Sequence, residues 1–184
     1  WKDHLVNRRL LSMFVIGFIL LFVFVAVFTY AGFRLTSDTF GFEGDRLGLV
    51  YLVFAPAILT TPAAAKAARS LGSGLAFRLG ILAALLGLAL LLTPSLLAFL
   101  LGLTLVAAGA FFAQSVATAS VGRTVTHDQA AANGLYLACY YAGGISGAFV
   151  VGQIFTLAGW HVAIGVMMAL TLTAAVFGRA ITES

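Results

Sequence analysis

The sequence predicts an all-α membrane protein built as a bundle of six transmembrane helices. Of its 184 residues, 62% are hydrophobic and only 9% are charged, and the mean hydropathy is +1.10. A soluble domain carries about 25% charged residues, so this composition excludes an ordinary soluble globule, a disordered tail and a nucleic-acid module. Six spans of roughly 20 residues need about 120 residues, which fits the chain length and leaves room for five short connections.

Uncharged stretches that end at charged residues mark the predicted helices. The first two stretches hold one helix each. The third, Leu79 to Gly122, and the fourth, Gln129 to Gly178, are too long for one span. We expect them to break at Pro94 and Gly159, because proline and glycine interrupt helices. As one six-helix domain over 1–184, the predicted helices cover about 11–33, 47–63, 75–92, 95–119, 131–157 and 160–178.

Basic residues fall mostly on one side of this topology. Six spans place both ends of the chain on the same side, and the other side receives only Arg34 and Arg46. The side of the two ends holds Lys2, Arg8, Arg9, Lys66, Arg69, Arg78, Arg123 and Arg179. The positive-inside rule therefore predicts that both ends are cytoplasmic, in an inner or plasma membrane. The same bias accounts for the pI of 9.6 without a nucleic-acid partner.

The sequence holds no pattern typical of a metal centre, a cofactor site or a catalytic base. His4, His127 and His161 are far apart and share no spacing with acids or thiols. The run GISG around Ser146 resembles the serine motif of rhomboid intramembrane proteases. A serine nucleophile needs a histidine within hydrogen-bond reach, and His161 opens the next predicted helix at the outer surface. We expect no enzyme, no metal and no cofactor.

Polar side chains divide the predicted helices into two groups, because polar groups in hydrocarbon must face protein or a water-filled cavity. On the fourth and fifth helices they share one face of about 100° each. Those faces consist of Thr104, Phe111, Gln114, Ser115 and Thr118, and of Asn133, Tyr136, Tyr140, Gly143, Gly144 and Gly147. Thinner faces on the first and second helices consist of Phe18, Phe22 and Thr29, and of Tyr51, Phe54 and Thr61. The third helix is apolar except for Arg78 and is expected to face lipid. The distribution of polar side chains does not assign the sixth helix to either group.

Three small features each allow two interpretations. Gly143 and Gly147 form a GxxxG pair, which favours close helix packing, with substrate contact as the alternative. Tyr140 lies too deep for an interfacial belt and is expected to line a cavity or to find a hydrogen-bond partner. Lys66, Arg69 and Gly72 are expected to form a cytoplasmic loop that contacts headgroups or acts as a conformational latch.

The stretch from Gly134 to Trp160 resembles the eleventh helix of bacterial major facilitator superfamily (MFS) transporters of the drug or arabinose efflux kind, with their YLxxYYxG…G…GW pattern. The run FTYAGFRL from Phe28 resembles the end of their seventh helix, and VYLV from Val50 their eighth. The resemblance covers nearly the whole chain as the C-terminal half of a twelve-helix protein, a half built from 3+3 inverted repeats. Arg69 stands where the family's loop motif has Asp, and Thr29 stands where Asn is frequent.

The resemblance implies a function and a site. The corresponding first, second, fourth and fifth helices would line a central cavity, in agreement with the polar faces, and the third and sixth would lie outside. The expected cavity residues are Phe22, Thr29, Tyr51, Phe111, Gln114, Tyr136 and Tyr140. The family implies half of a secondary transporter that moves a small organic solute by alternating access, with an N-terminal six-helix half, the lipid bilayer and protons as partners. A non-transporting receptor or scaffold is the alternative.

Overall fold

The computed structural model describes residues 7–42, 48, 50–125 and 128–182, and these residues form helices and short turns without a strand. Five described stretches are long and apolar enough to cross a membrane, which confirms the predicted all-α membrane bundle. The helices are α1 (Arg8–Thr36), a 3-10 helix (Tyr51–Leu59) that continues into α2 (Thr60–Leu71), α3 (Ser73–Leu90), α4 (Leu96–Thr124), α5 (Gln129–Phe177) and the short α6 (Arg179–Thr182). The 3+3 inverted repeat stays a prediction.

Helix α5 folds back on itself, as its contacts with α1 demonstrate. Gly152 lies against the side chain of Tyr30 near the end of α1. Further along the chain, the carbonyl of Ala180 accepts a 2.9 Å hydrogen bond from Nε of Arg9, at the start of α1. Because α1 is continuous, the chain must travel up along α1 and then return. The described residues therefore cross the bundle six times.

The reversal occurs at Gly159. Its φ of 79° and ψ of −179° depart from helical values, and a positive φ is strained for any residue with a side chain. We call residues 129–158 the outgoing arm and 160–177 the return arm of α5. Together they would span about 74 Å as one straight helix, more than twice the ~30 Å hydrocarbon thickness of a bilayer.

Contacts between neighbouring segments fix their relative directions. The outgoing arm runs parallel to α1, and α3 runs antiparallel to α4. The return arm runs antiparallel to α3, since Nε1 of Trp160 donates to the carbonyl of Leu91 at one end and Gly178 lies against the ring of Phe77 at the other. The outward side of α3 exposes Leu75, Leu79, Leu82 and Leu86, which is the surface expected to face lipid.

The two ends of the bundle differ in character. We call the end at which Arg9 meets Ala180 the terminal side. There Arg123 at the end of α4 also donates a 2.8 Å hydrogen bond to the hydroxyl of Ser73 at the start of α3. At the opposite side, aromatic rings tie the turn after α1 to the starts of α4 and the return arm. The ring centroids of Phe40 and Phe99 are 5.2 Å apart, and those of Phe99 and Trp160 are 5.8 Å apart.

Helix ends extend beyond the boundaries predicted from charges. Helix α1 begins at Arg8 because the side-chain oxygen of Asn7 accepts hydrogen bonds from the backbone N–H groups of Arg9 and Leu10, a standard N-cap. At its other end α1 passes Arg34 and stops at Thr36. Charged residues mark where the hydrocarbon ends, whereas caps decide where the helix ends, so a helix can continue past its charges.

The second predicted helix differs most from expectation. Its first residues lie partly outside the described ranges, and Tyr51–Leu59 adopts 3-10 geometry with Pro56 inside. Helix α2 then continues to Leu71, because five alanines within 63–68 strongly favour helix. The expected loop is thereby reduced to Gly72, whose φ of 84° makes the turn. Lys66 and Arg69 are exposed helix residues instead of loop residues.

Candidate functional site

Aromatic side chains from three segments meet near the middle of α4. The ring centroid of Phe28 lies 4.4 Å from that of Phe54, and the centroid of Phe24 lies 4.9 Å from that of Phe111. Phe24 also contacts Phe28 and Phe54, at 4.9 and 5.8 Å. Tyr51 stacks on Phe54 with centroids 6.1 Å apart and is 64% exposed. We call these five side chains the aromatic tier, which joins α1, the 3-10 helix and α4.

An open groove runs beside the aromatic tier. Its volume is about 350 Å³, and it is lined by Phe54, Ala57, Ile58, Thr61 and Phe111. Ligand sites for drug-sized molecules measure roughly 300–1,000 Å³ and are mostly apolar with a few polar groups. The groove has this character, since the hydroxyl of Thr61 is its one polar side chain.

A polar cluster lies next to the aromatic tier, nearer to the terminal side. The hydroxyl of Tyr136 donates a 2.7 Å hydrogen bond to Oε1 of Gln114, and Nε2 of Gln114 donates a 3.3 Å bond to Oγ1 of Thr118. The ring of Tyr140 stacks on that of Tyr136 at 6.4 Å with an interplanar angle of 14°. We call these four residues the polar tier. Gln114 and Thr118 follow Phe111 on α4 and therefore lie roughly 5–10 Å closer to the terminal side.

A second polar contact connects α2 with α4. The hydroxyls of Thr61 and Ser115 are 3.4 Å apart, and Ser115 also donates to the carbonyl of Phe111. Polar side chains on α4 thus have partners on both flanks, α2 on one and the outgoing arm on the other. The polar face of the fourth helix, predicted from spacing alone, lies between these two neighbours.

Two of the expected cavity residues are buried within this bundle. Tyr136 has no exposed surface, and Phe22 is only 6% exposed. Tyr136 packs against Gly17, where an added Cβ would lie 2.8 Å from a ring atom, so a neighbouring helix fills the direction in which this ring points. The backbone of Phe22 lies against Gly147, and its ring centroid is 6.0 Å from that of Phe18. Tyr136 and Phe22 therefore support the site from behind instead of lining open space.

The GxxxG glycines lie directly against α1. A Cβ added to Gly143 would overlap the carbonyl oxygen of Phe18, and one added to Gly147 would overlap that of Phe22. Such contacts allow two backbones to approach closely. In the described structure both positions are buried between helices and away from open surface, so their contacts are those of helix packing.

Other expected site residues lie near the site or outside it. Thr29 is exposed on α1, about 100° around the helix from Phe28, and does not join the aromatic tier. Gly72, Lys66 and Arg69 are at the terminal side, remote from both tiers. Phe24 and Phe28 were missed, because they lie on a different side of α1 from the face expected from Phe18, Phe22 and Thr29; their i, i+4 spacing was the available signal.

Charge is absent from both tiers. The acids among the described residues are Asp38, in the turn after α1, and Asp128, which caps the start of α5. Within the described ranges no group of histidines, cysteines and acids could hold a metal ion. The chemistry available at the site consists of aromatic faces, hydroxyls and one carboxamide, which suits binding of a solute.

Comparison with known proteins points to transport. The chain is 28% identical over 171 residues to an uncharacterized MFS-type transporter of Bacillus subtilis, covering 93% of this chain and 42% of that protein. It is 34% identical over 140 residues to an uncharacterized transporter of Buchnera aphidicola from Acyrthosiphon pisum, covering 76% of this chain and 34% of that protein. A second Buchnera transporter, from Schizaphis graminum, is 29% identical with the same coverage.

The chain spans about a third to two fifths of the length of these curated relatives. No family model matches it, and no solved structure matches it. The apolar helices and the relatives agree on the class of protein. The chain is a multi-pass membrane protein similar to transporters, one of them of the MFS type.

Proposed function

We propose that this chain forms the C-terminal half of an MFS secondary transporter that moves a small, uncharged amphipathic solute by alternating access. The observation that carries the proposal is the stacking of the two tiers on α4. An aromatic surface lies directly beside a carboxamide and hydroxyls, at mid-height in a bundle of membrane-spanning helices. A strongly charged solute would require a counter-charge at that depth, and neither tier holds one.

The proposal requires a second half that closes the site. The outgoing arm exposes large apolar side chains along one face, namely Leu137, Tyr141, Ile145 and Phe149. Beside them lies an open groove of about 470 Å³ that includes the polar side chains of Gln153 and Thr156. An N-terminal six-helix half of the same protein would cover this face, and the greater length of the relatives leaves room for one.

Energy coupling and direction follow from the family resemblance. Proton-coupled efflux across the cell or inner membrane would need a carboxylate that changes its protonation within the membrane. The described membrane-spanning segments hold no acid, so the proton-carrying carboxylates would lie in the other half. Both ends of this segment would be cytoplasmic, with the terminal side facing the cytoplasm.

Alternating access can be tested by thiol labelling of the full-length protein in proteoliposomes, in a Cys139→Ala background. Phe33→Cys, near the end of α1, reports on solvent access from the side of the bundle opposite the terminal side. Thr118→Cys reports on solvent access to the polar tier from the terminal side. We expect an imposed proton gradient to change the two labelling rates in opposite directions. Leu82→Cys, exposed on the lipid-facing side of α3, is the matched control and should not respond. Rates that stay fixed at both sites would favour a receptor or scaffold.

A further inference from the structure

The geometry points to a recognition group within the site. We propose that Tyr136 is a positioning residue, which fixes the Gln114 carboxamide with its NH2 group toward the exposed surface of α4 at Thr118, here called the open side. As a result, the site selects uncharged aromatic solutes that carry a hydrogen-bond acceptor. This inference rests on the proposed function and adds the substrate class. Its basis is the direction of one hydrogen bond, which Tyr136 on the outgoing arm donates to Gln114 on α4.

The carboxamide has two different ends, and the protein uses them differently. Its oxygen can only accept hydrogen bonds, and its nitrogen can only donate them. The oxygen is engaged by the hydroxyl of Tyr136 in a part-buried bond of 2.7 Å. The nitrogen donates to Thr118 in an exposed bond of 3.3 Å. The donor end of Gln114 therefore faces the open side of α4, and the acceptor end faces the interior.

Tyr136 can impose this orientation because its own position is fixed. Its ring is fully buried and lies against Gly17, where a side chain would overlap the ring. The ring of Phe14 packs at 6.5 Å and that of Tyr140 at 6.4 Å. The buried hydroxyl needs an acceptor, and the carboxamide oxygen supplies one at 2.7 Å, with the hydroxyl of Thr118 as a second neighbour; a rotated carboxamide would present a donor to this donor.

One N–H of the carboxamide is left for a ligand. The nitrogen carries two hydrogens, and among the described side chains Thr118 is the acceptor that it reaches. Phe111 precedes Gln114 by three residues, about 4.5 Å of helix rise. A planar solute that packs on the aromatic tier would therefore place a carbonyl or ether oxygen within reach of this N–H. A donor group at the same position would meet another donor.

The test uses two uncharged naphthalenes that differ by one acceptor. Prodan, 6-propionyl-2-(dimethylamino)naphthalene, carries a carbonyl, and 6-propyl-2-(dimethylamino)naphthalene has a CH2 group in its place. Binding of both tritiated probes is measured on the full-length protein in detergent micelles by scintillation proximity. We expect the wild type to bind prodan about tenfold tighter, the gain of one hydrogen bond of about 1.4 kcal/mol. Equal binding of the two probes, or binding of neither, would overturn the assigned substrate class.

Three variants separate positioning from structural support. Gln114→Met keeps the length of the side chain but removes the amide donor, so the prodan preference should disappear. Tyr136→Phe keeps the ring and frees the carboxamide to rotate, so the preference should fall about threefold or more. A merely structural role of Tyr136 would weaken both probes equally and leave their ratio unchanged, which contradicts the inference. Thr173→Val on the return arm, whose hydroxyl bonds its own helix, is the control and should change nothing.

The failure of this inference can be told apart from the failure of the proposed function. The cysteine-labelling experiment described above tests alternating access without any solute. If labelling alternates but the two probes bind with equal affinity, the proposed transport function is retained and the proposed recognition group is wrong. If labelling does not alternate but prodan is still preferred, the recognition group stands within a binding protein that does not transport.

Discussion

The hydroxyl of Tyr30 on α1 donates a 2.6 Å hydrogen bond to the carbonyl oxygen of Ala148 on the outgoing arm. Gly152 lies one turn further along that arm and makes room for the hydroxyl, because a Cβ there would overlap it. The bond joins the two parallel helices near the opposite side of the bundle. The Gly143 and Gly147 contacts lie nearer to the terminal side. Together with this hydrogen bond, they hold α1 and the outgoing arm in contact along most of their length.

This relationship predicts a coupled pair of substitutions. Gly152→Ala should displace the Tyr30 hydroxyl and lower the free energy of unfolding by about 1–3 kcal/mol, through overlap and loss of the hydrogen bond. Tyr30→Phe alone should cost about 1 kcal/mol. In the Tyr30→Phe background, Gly152→Ala should cost clearly less, since the hydroxyl is no longer there to displace. Thermal unfolding of the wild type and the three variants in detergent measures this coupling, and strictly additive effects would contradict it.

The GxxxG contact predicts a larger loss. Gly147→Leu should abolish or strongly reduce the folded yield, because no side chain fits between its Cα and the carbonyl of Phe22. Gly165→Leu is the matched control, since nothing lies within 4 Å of the corresponding position on the return arm. The yields of monodisperse protein from size-exclusion chromatography should differ between the two variants. Similar yields would place Gly147 toward open space.

The sequence predicted the fold class, whereas the structure adds where the helices end and which side chains are buried. Uncharged stretches identify apolar helices, but caps such as Asn7 and the alanine-rich α2 determine where helices end. Pro56 within Tyr51–Leu59 interrupts the α-helical hydrogen-bond pattern, but it does not reveal that the nine residues adopt 3-10 geometry, since such runs are usually only three to four residues long. Helical spacing placed Gln114 and Tyr136 on polar faces, yet it could not reveal that Gly17 on another helix receives the Tyr136 ring. Whether a residue lines a cavity or is buried depends on the shape of the neighbouring helix. The periodicity of a single helix carries no information about that shape.

The distribution of basic residues predicts which side of the bundle faces the cytoplasm. The described basic residues other than Arg34 lie toward the terminal side, so that side should be cytoplasmic. In a Cys139→Ala background of the full-length protein, Asp38→Cys, in the turn after α1, should react with an impermeant thiol reagent added to intact cells. Ser70→Cys, exposed near the end of α2, should react only after the membrane is permeabilised. The reverse pattern would invert the topology.

The last prediction concerns the polar tier and separates its two tyrosines. Gln114→Leu removes the acceptor that lies 2.7 Å from the Tyr136 hydroxyl and leaves the hydroxyl of Thr118 as a remaining partner, so the free energy of unfolding should fall by about 1 kcal/mol. Adding Tyr136→Phe removes the buried hydroxyl and should restore part of that loss. Tyr140→Phe should leave stability nearly unchanged, because the described contacts of Tyr140 are ring contacts with Tyr136 and Tyr141, which phenylalanine preserves. Melting temperatures of the wild type and the three purified variants give the answer. If Gln114→Leu is as stable as the wild type, the carboxamide is not tied to Tyr136, and the arrangement of the polar tier described above is wrong.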